Sequence, residues 1–195
     1  IPADKPLYIL ASHNHHDHFS GKIFSLKGTF LLSWDIPVES VPEGRTVHFL
    51  QPYETWTDGV LSVETFRSTD EGVAFWCRLD GRDIYHAGDL NDWVWEEETD
   101  AYNEDMTRNY RKQIRLLAEK LGHREIDTAF VVLDPRQETD YDRGMCYFLE
   151  KISAKNVYPM HYWGNPAVMD TFLQEHPDFQ PEAVSAPWFT PAGEG

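Results

Sequence analysis

A histidine-rich segment directly after the first apolar run constrains this chain more than any other feature of its sequence. The run LYILA predicts a buried strand, and the segment SHNHHDH follows it at positions 12–18. A loop that leaves a strand can aim alternate residues, His13 and His15, at one point, and the next turn delivers Asp17 and His18 to a neighbouring point. Imidazole and carboxylate groups hold Zn²⁺ and similar divalent ions. Two adjacent ligand sets therefore predict a site for two ions.

Metal ligands rarely come from one loop alone, so this site needs partners from other strand ends. Asp89 stands in HAGDLN just past a predicted strand, where Gly88 lets the backbone turn close to a ligand. His161 stands in YPMHYWG, again at the end of a predicted strand. Alone, the first would be interpreted as a turn aspartate and the second as a core or surface histidine. Beside the histidine segment, both become candidate ligands.

The rest of the chain is rich in strands in its first half and alternates strands with helices in its second half. Apolar runs and turn residues predict the strands, and apolar spacing of three and four residues predicts the helices. The predicted strands are 7–11, 29–34, 46–50, 61–66, 73–79, 83–87, 128–133 and 156–160, and the predicted helices are 107–121, 143–152 and 167–175. With no linker, repeat or low-complexity segment, residues 1–195 are expected to form a single α/β layered domain.

The charge balance limits the partners of the protein. The 195 residues include 33 Asp and Glu against 17 Lys and Arg, a formal net charge of −16. Such an acidic surface repels phosphate backbones and anionic lipid, so we expect a small-molecule partner, no nucleic acid and no membrane. The two cysteines, Cys77 and Cys146, form no CxxC pattern. They predict reduced thiols in a cytoplasmic protein.

Three motifs together resemble the signature of the metallo-β-lactamase-fold hydrolase superfamily. They are the HxHxDH pattern at 13–18, Gly88-Asp89, and the PMH triplet that ends at His161, and they occur in this order across nearly the whole chain. STDEG at 68–72, followed by HAGDLN at 86–91, is most similar to the branch that includes the ascorbate-6-phosphate lactonase. The resemblance implies an α/β fold, the four-layer αββα sandwich, with metals in a cleft at one edge of the two sheets.

The resemblance also implies a role for each ligand. The implied ligands are His13 and His15 for the first ion, Asp17, His18 and His161 for the second, and Asp89 as a bridge between them. A hydroxide shared by the ions would be the nucleophile, because two cations lower the pKa of water. Asp17 would also act as a catalytic residue that orients this hydroxide or receives its proton. The expected cofactors are two divalent ions, Zn²⁺ first, with Mn²⁺ or Fe²⁺ as alternatives.

Two features depart from the pattern of this superfamily. Its members supply a third histidine to the first ion from the loop before the bridging aspartate, but the loop FRSTDEG at 66–72 contains none. Asp70 is a possible substitute ligand, and a carboxylate there would favour Mn²⁺ or Fe²⁺. The fold also opens with several strands, whereas a dozen residues precede the histidine segment. We therefore expect missing or reduced N-terminal strands, a fragment of a longer protein, and an exposed edge that favours a homo-oligomer.

Four further residues are candidates for the surroundings of the ions. Asp134 ends a predicted strand and can accept the second N–H of a ligating histidine, although a structural turn aspartate before proline is an equal alternative. His86 lies just before the bridging aspartate, where a supporting role and ordinary strand packing compete. Trp93 and Tyr162 flank candidate ligands and can line a substrate cleft, as aromatic residues often do.

These residues predict a metal-dependent hydrolase that acts on a small-molecule ester, lactone, amide or phosphoester. A nuclease or phosphodiesterase of the same fold is an alternative, against which the net charge of −16 argues. A non-catalytic metal-binding protein is another alternative, because a third histidine is missing. The six candidate ligands argue against that second alternative, since a decayed site tends to lose its ligands.

Overall fold

Two β-sheets face each other in the structure, a computed structural model that describes residues 5–179. In this range, three parallel strands form the first sheet, six strands in chain order form the second, and there are three α-helices. The strands are β1 (Tyr8–Ala11), β2 (Thr29–Ser33), β3 (Val47–Leu50), β4 (Thr55–Thr57), β5 (Leu61–Arg67), β6 (Val73–Leu79), β7 (Arg82–His86), β8 (Thr128–Val132) and β9 (Val157–Met160), and the helices are α1 (Asp100–Leu121), α2 (Arg143–Lys151) and α3 (Ala167–Glu175).

The six-stranded sheet changes its pairing in the middle. Strands β4 to β7 are antiparallel, whereas β8 and β9 run parallel to β7. Between β6 and β7, Asp80 and Gly81 have φ angles of 51° and 74°. Two positive φ angles are what the tight turn of a two-residue hairpin requires, so the predicted hairpin is confirmed. Strand β4 was not predicted, because three residues are too few to show an alternating pattern.

Three apolar cores separate the layers and confirm the predicted four-layer fold. Helices α1 to α3 pack on one face of the six-stranded sheet through residues such as Tyr110 and Phe148. The two sheets enclose a second core that includes Leu31 and Phe75. The outer face of the three-stranded sheet is covered by Phe24, from a single 3₁₀ turn (Gly21–Ser25), and by its neighbours. The outermost layer is thus much thinner here than the helical layer on the other side.

Helix α1 begins earlier than the apolar pattern predicts, at Asp100 instead of residue 107. Thr99 caps it by accepting a hydrogen bond from the backbone N–H of Tyr102. The first two turns are largely exposed, so no apolar periodicity marks them. The helix ends at Gly122, whose φ of 62° fits its predicted role as a C-cap. Within residues 5–179, no helix is both long and apolar enough to span a membrane.

The candidate ligands meet because several strand ends lie at one edge of the sandwich. His13 follows β1, Asp89 follows β7, and His161 follows β9 directly. One backbone hydrogen bond joins the two sheets at this edge, from the N–H of Val73 at the start of β6 to the carbonyl of Ser12 at 2.9 Å. Because β7, β8 and β9 are parallel, the ends of β7 and β9 lie at the same edge of the sheet, with β8 between them.

Candidate metal centre

Two groups of potential ligands share the carboxylate of Asp89. The first consists of His13, His15 and Asp89, and the second of His18, Asp89 and His161. Oδ2 of Asp89 lies 3.2 Å from Nε2 of His13, whereas Oδ1 lies 3.1 Å from Nε2 of His18 and 2.9 Å from Nε2 of His161. Each carboxylate oxygen therefore faces a different set of histidines, which is the arrangement of a carboxylate that bridges two ions.

The geometry of the second group fits a divalent cation. Nε2 of His18 lies 3.1 Å from Nε2 of His161, so with Oδ1 of Asp89 the three atoms form a triangle with edges near 3 Å. Ligands of a tetrahedral Zn²⁺ site are about 3.3 Å apart when the metal–nitrogen distance is about 2.0 Å. In the first group, Nε2 of His13 is buried and has no hydrogen-bond partner among the described residues. A cation between these atoms would satisfy both groups.

The charges around Asp89 keep it ionised. Burial alone would raise the pKa of this carboxyl, but the close contacts and charges of His13 and His161 outweigh burial and hold the pKa well below its usual range. For His161, burial is likewise outweighed by Asp134 and Asp89, which raise its pKa to about 9. In His18, burial dominates and lowers the pKa. The ionised carboxylate of Asp89 thus attracts positive charge from the histidines on both sides.

Ser12 orients two of the ligands, and sequence reasoning did not identify it. Its hydroxyl Oγ lies 3.1 Å from Nδ1 of His13 and 3.2 Å from Nδ1 of His18. Both histidines direct Nε2 at Asp89, so their Nδ1 atoms are free to carry the proton and donate it to the two lone pairs of one hydroxyl. The position of this serine immediately before the histidine segment was the available signal.

Two glycines allow the backbone to approach Ser12 closely. A Cβ atom on Gly72 would lie 1.9 Å from the carbonyl oxygen of Ser12, and one on Gly88 would lie 2.8 Å from its Cβ. Both glycines have positive φ angles, 70° and 55°. Only glycine fits both the conformation and the space. These contacts bring the start of β6 and the turn after β7 against the histidine segment.

Asp134, the predicted partner of a ligating histidine, lies next to His161, and its role towards a metal stays a prediction. Its carboxylate is fully buried, and Oδ2 lies 3.6 Å from Nδ1 of His161. Arg136 forms an ion pair with the same carboxylate at 2.5 Å, and the indole N–H of Trp163 donates to it at 3.1 Å. Although burial would raise the pKa of Asp134, these partners hold it well below its usual range. His161 itself has a φ of 62°, which lies in the left-handed region that residues other than glycine seldom adopt.

The first group is more open than the second. The side chain of His15 is 47% exposed, and the carboxylate of Glu71 lies 3.9 Å from its Nε2. Asp70, the predicted substitute ligand, lines the cavity above the site. Burial and the nearby charge of Asp89 raise its pKa. Neither carboxylate belongs to the compact group around His13, so ligation by Asp70 stays a prediction, and Glu71 is a second candidate that sequence reasoning missed.

Asp17 lies beside the second group but outside it. Its Oδ2 is 3.7 Å from Nε2 of His18, and the residue lines two cavities that open on either side of the centre. The compact group of His18, Asp89 and His161 forms without it. Its assignment as a ligand of the second ion and as a catalytic residue stays a prediction.

The remaining candidates support the turn that carries Asp89 or line a cavity. Nδ1 of His86 accepts the N–H of Gly88 at 3.0 Å, and burial lowers the pKa of this histidine to about 4. The indole N–H of Trp93 donates to the carbonyl of Asp89 at 2.9 Å. Tyr162 lines the second of the two cavities. His86 and Trp93 therefore hold the bridging residue in place from two sides.

The two cavities differ in volume and lining. The first encloses about 310 Å³ and is lined by an aromatic wall and a few charged groups. The second encloses about 450 Å³ and borders His18, His86 and Tyr162. The indoles of Trp93 and Trp95 stack in parallel, with centroids 5.8 Å apart, in the wall of the first cavity. The residues that line the first cavity are His15, Asp17, Asp70, Asp89, Trp93, Trp95, Tyr102, Met106, Arg136, His161 and Trp163.

Comparison with known proteins supports the fold at low sequence identity. No family model matches the sequence, and no curated protein matches it. Igni18, a metallo hydrolase from Ignicoccus hospitalis, is 15% identical with a TM-score of 0.60, over 88% of this chain and 71% of that chain. YhfI, a metallo-β-lactamase fold protein from Bacillus subtilis, is 11% identical with a TM-score of 0.53, over 86% of this chain and 70% of that chain.

A larger protein matches as well. CmlA, a diiron β-hydroxylase from Streptomyces venezuelae, is 15% identical with a TM-score of 0.56, over 88% of this chain and 42% of that chain. This chain therefore spans less than half the length of CmlA. The matched structures include proteins of different activities, a hydrolase and a hydroxylase, so they define the fold and not the reaction. Their common architecture, together with the four layers described above, identifies the fold of this chain as the metallo-β-lactamase fold.

Proposed function

We propose that the protein is a metal-dependent hydrolase with two ions, acting on a small-molecule ester, lactone, amide or phosphoester. One observation carries this proposal: the two oxygens of Asp89 face two separate sets of histidines at the mouth of a cavity. When bound, two divalent ions would lower the pKa of a water molecule and stabilise negative charge on the attacked carbonyl or phosphoryl group. The fit of the ligand triangle to a divalent cation supports this function.

Each half of the centre has its own residues for holding an ion. His13 and His15, with Oδ2 of Asp89, would hold the first, and His18 and His161, with Oδ1, would hold the second. Asp17 would receive the proton of the attacking water, because it borders both cavities and lies next to the second group. Ligation by two or three histidines favours Zn²⁺, whereas carboxylates in the first half favour Mn²⁺ or Fe²⁺.

The first cavity favours a compact substrate with a flat or apolar part. A volume of about 310 Å³ lies at the lower end of ligand-pocket sizes. The parallel Trp93 and Trp95 indoles supply a wall against which such a part would pack. Arg136 is the arginine in this wall, but its guanidinium is paired with Asp134 and stacks on Trp163 at 4.3 Å. It would therefore recognise a single anionic group at most.

Lactones are the first substrates to test. The segments 68–72 and 86–91, which carry the similarity to the ascorbate-6-phosphate lactonase branch, are joined in the structure. The hydroxyl of Thr69 donates to the carbonyl of Asn91 at 2.6 Å and accepts its N–H at 3.0 Å. The two segments thus form one structural unit beside the bridging aspartate. We also propose a cytoplasmic location, because Cys77 and Cys146 are free thiols.

A diiron oxidation is the second candidate function. It is favoured by the match to a diiron β-hydroxylase and by the carboxylates of Asp70 and Glu71 near the open first half. Oxidation chemistry would require iron, dioxygen as the oxidant and an external electron donor. Hydrolysis would proceed with zinc or manganese as well. The identity of the metal that supports turnover therefore separates the two functions.

The experiment is elemental analysis of the purified, untagged protein beside two variants, Asp89→Ala and the control Asp170→Ala. Asp170 is exposed in the first turn of α3 and belongs to neither ligand group. We expect the control to hold as many ions as the wild type and Asp89→Ala to lose more than one ion per chain, because both candidate groups share Asp89. Wild type reloaded with Zn²⁺, Mn²⁺ or Fe²⁺ is then assayed against lactones, esters, amides and phosphoesters.

Metal-dependent turnover that Asp89→Ala loses would support hydrolysis. A wild type that, after reloading with each of the three ions, holds no more metal than Asp89→Ala would contradict the proposal. Turnover that requires iron and a reductant, with no hydrolysis under any metal, would favour the oxidation.

A further inference from the structure

We infer that Asp142, Cys146 and His176 form a separate metal site that takes a zinc-like ion between α2 and the end of α3. Sγ of Cys146 lies 3.6 Å from Nε2 of His176 and 3.9 Å from Oδ2 of Asp142. Nε2 of His176 lies 2.5 Å from Oδ2 of Asp142. The three ligand atoms thus face one another, and all lie within 4.8 Å.

The two separations from the sulfur are close to those around a tetrahedral ion, whereas Nε2 of His176 and Oδ2 of Asp142 are at hydrogen-bond distance and would move apart to about 3.3 Å when an ion is bound. With metal–sulfur and metal–nitrogen distances of about 2.3 Å and 2.0 Å, a thiolate and an imidazole nitrogen are about 3.5 Å apart. The side chains of Asp142 and His176 are partly exposed, at 20% and 26%, so one direction stays open for a water ligand. Thiolate, imidazole and carboxylate together are a donor set for zinc and related transition metals, and not for Mg²⁺ or Ca²⁺.

The side chain of Asp142 faces this cluster and does not cap its helix. It occupies the N-cap position of α2, where an aspartate normally accepts a backbone N–H of the first turn. Its side chain makes no such bond and is directed at His176 instead. Cys146 lies four residues later on the same face of the helix. The start of α2 therefore presents a carboxylate and a thiol together.

His176 is held towards the cluster by backbone and aromatic contacts. It is the residue at which α3 ends, with its N–H bonded to the carbonyl of Phe172. Its ring packs against the rings of Phe172 and Phe179, with centroids 4.8 Å and 5.9 Å away. Next to it, Glu175 accepts a hydrogen bond from Tyr141 at 2.5 Å. Two adjacent contacts thus join the same two segments, and an ion would add a third.

The same three residue types occur in nucleophilic cysteine sites, but the arrangement differs here. In such a relay, the carboxylate binds one ring nitrogen and the thiol faces the other. Here both Oδ2 of Asp142 and Sγ of Cys146 lie closest to Nε2 of His176. The three donor atoms therefore face one another, as the ligands of a common ion do, and are not arranged in series along the imidazole ring. The site would hold the helices together and take no part in the reaction at Asp89.

Cobalt provides a test that is specific to this site. A thiolate bound to Co²⁺ produces an intense charge-transfer band in the near ultraviolet, and the candidate ligands at Asp89 include no cysteine. The untagged full chain is stripped with a chelator under reducing conditions and titrated with Co²⁺. We expect the band in the wild type, with a final intensity that corresponds to one thiolate-bound Co²⁺ per chain. Cys146→Ser should abolish it, and Cys77→Ala, which changes the other cysteine, should keep it.

Asp142→Asn is a second variant that keeps the thiol. We expect at least about tenfold weaker cobalt binding, measured by the same band, from the loss of one anionic ligand. No band in the wild type at saturating Co²⁺ would overturn the inference, as would a band that survives in Cys146→Ser or unchanged affinity in Asp142→Asn. The band does not depend on ions at Asp89, so this inference and the proposed hydrolase can fail separately.

Discussion

The two halves of the candidate metal centre share Asp89 but differ in their enclosure. In the second half, the side chains of His18 and His161 are 11% and 7% exposed, and the buried carboxylate of Asp134 lies behind His161. In the first half, His13 is buried, but His15 is 47% exposed and no third histidine completes the group. Enclosed ligands with fixed partners are already oriented for an ion, whereas an exposed ligand must be ordered on binding. The second half should therefore bind its ion first and more tightly.

Removing one histidine from each half tests this difference most directly. We expect His161→Ala to weaken the tighter of two binding steps by more than about 100-fold, because an enclosed ligand and its oriented partner are lost together. His15→Ala should weaken only the looser step, by about tenfold. Isothermal titration with Zn²⁺ measures both steps in metal-free proteins that all carry Cys146→Ser, so that the separate cysteine cluster does not contribute. His16→Ala, an exposed neighbour of His15, is the matched control. Equal losses in the two variants would contradict the comparison.

The enclosed half also predicts a pH dependence of stability. Burial lowers the pKa of His86 from 6.5 to about 4. Between pH 6.5 and pH 4, this histidine therefore binds a proton in the unfolded chain but not in the folded chain. The free energy of unfolding should fall as the pH drops from 6.5 to 4, by at most about 3 kcal/mol. His86→Asn, whose amide oxygen can still accept the N–H of Gly88, should lack this contribution. Denaturant unfolding of both metal-free proteins at several pH values measures the difference.

If wild type and His86→Asn lost stability in parallel over this range, His86 would titrate as an exposed histidine does. The enclosure of this side of the centre would then be less complete than the contacts indicate.

Asp134→Asn reduces the support of the second half without removing a ligand. An amide lacks the negative charge of the carboxylate that faces His161. It would stabilise the metal-bound imidazole less, so the tighter step should weaken by about 10–100-fold. The looser step should not change. Titration with Zn²⁺ measures both, and circular dichroism confirms the fold, since Arg136 also loses its partner. A change in the looser step alone would show that Asp134 supports the other half.

The smallest effect is expected in the open half. Glu71→Gln should weaken the looser step by no more than about fivefold, because interactions of exposed charges contribute about 1 kcal/mol or less. Asp70→Asn is the paired variant, and the larger of the two effects identifies the carboxylate that replaces the missing histidine. Both are measured as the affinity for Mn²⁺, which prefers oxygen ligands. No change in either variant would mean that the first ion is held by His13, His15 and Asp89 alone.

The sequence predicted the parts of this molecule that are set by local pattern. The bounds of α3 and β6 agree with the predicted ranges, and the turn at Asp80 and Gly81 agrees because its chemistry is local. The sequence also predicted that the histidines of the two groups lie near Asp89, because histidines and aspartates at strand ends are typical of metal sites. The predicted roles of Asp17 and Asp70 remain untested.

What the sequence did not predict depends on contacts between distant segments. The role of Ser12 arises because Gly72 and Gly88, from the other sheet, let the backbone approach it. The proximity of Glu71 to His15 follows from the same approach. The cluster of Asp142 and His176 joins two helices that no periodicity relates. Such arrangements need the packed structure, because side-chain patterns describe faces of elements and not which faces meet.

The three-stranded sheet is built from consecutive residues, 8–50, and a single backbone bond at Ser12 joins it to the other sheet at the metal edge. Continuous segments of this kind often open as cooperative subunits while the rest of the protein stays folded. His13 and His18 belong to this segment, whereas Asp89 and His161 belong to the part of the chain that forms the six-stranded sheet and its helices. An ion bound between them would have to dissociate before the segment could open. Amide hydrogen exchange in β1 to β3 would therefore depend on the concentration of free metal, slow in the loaded protein and fast after chelation.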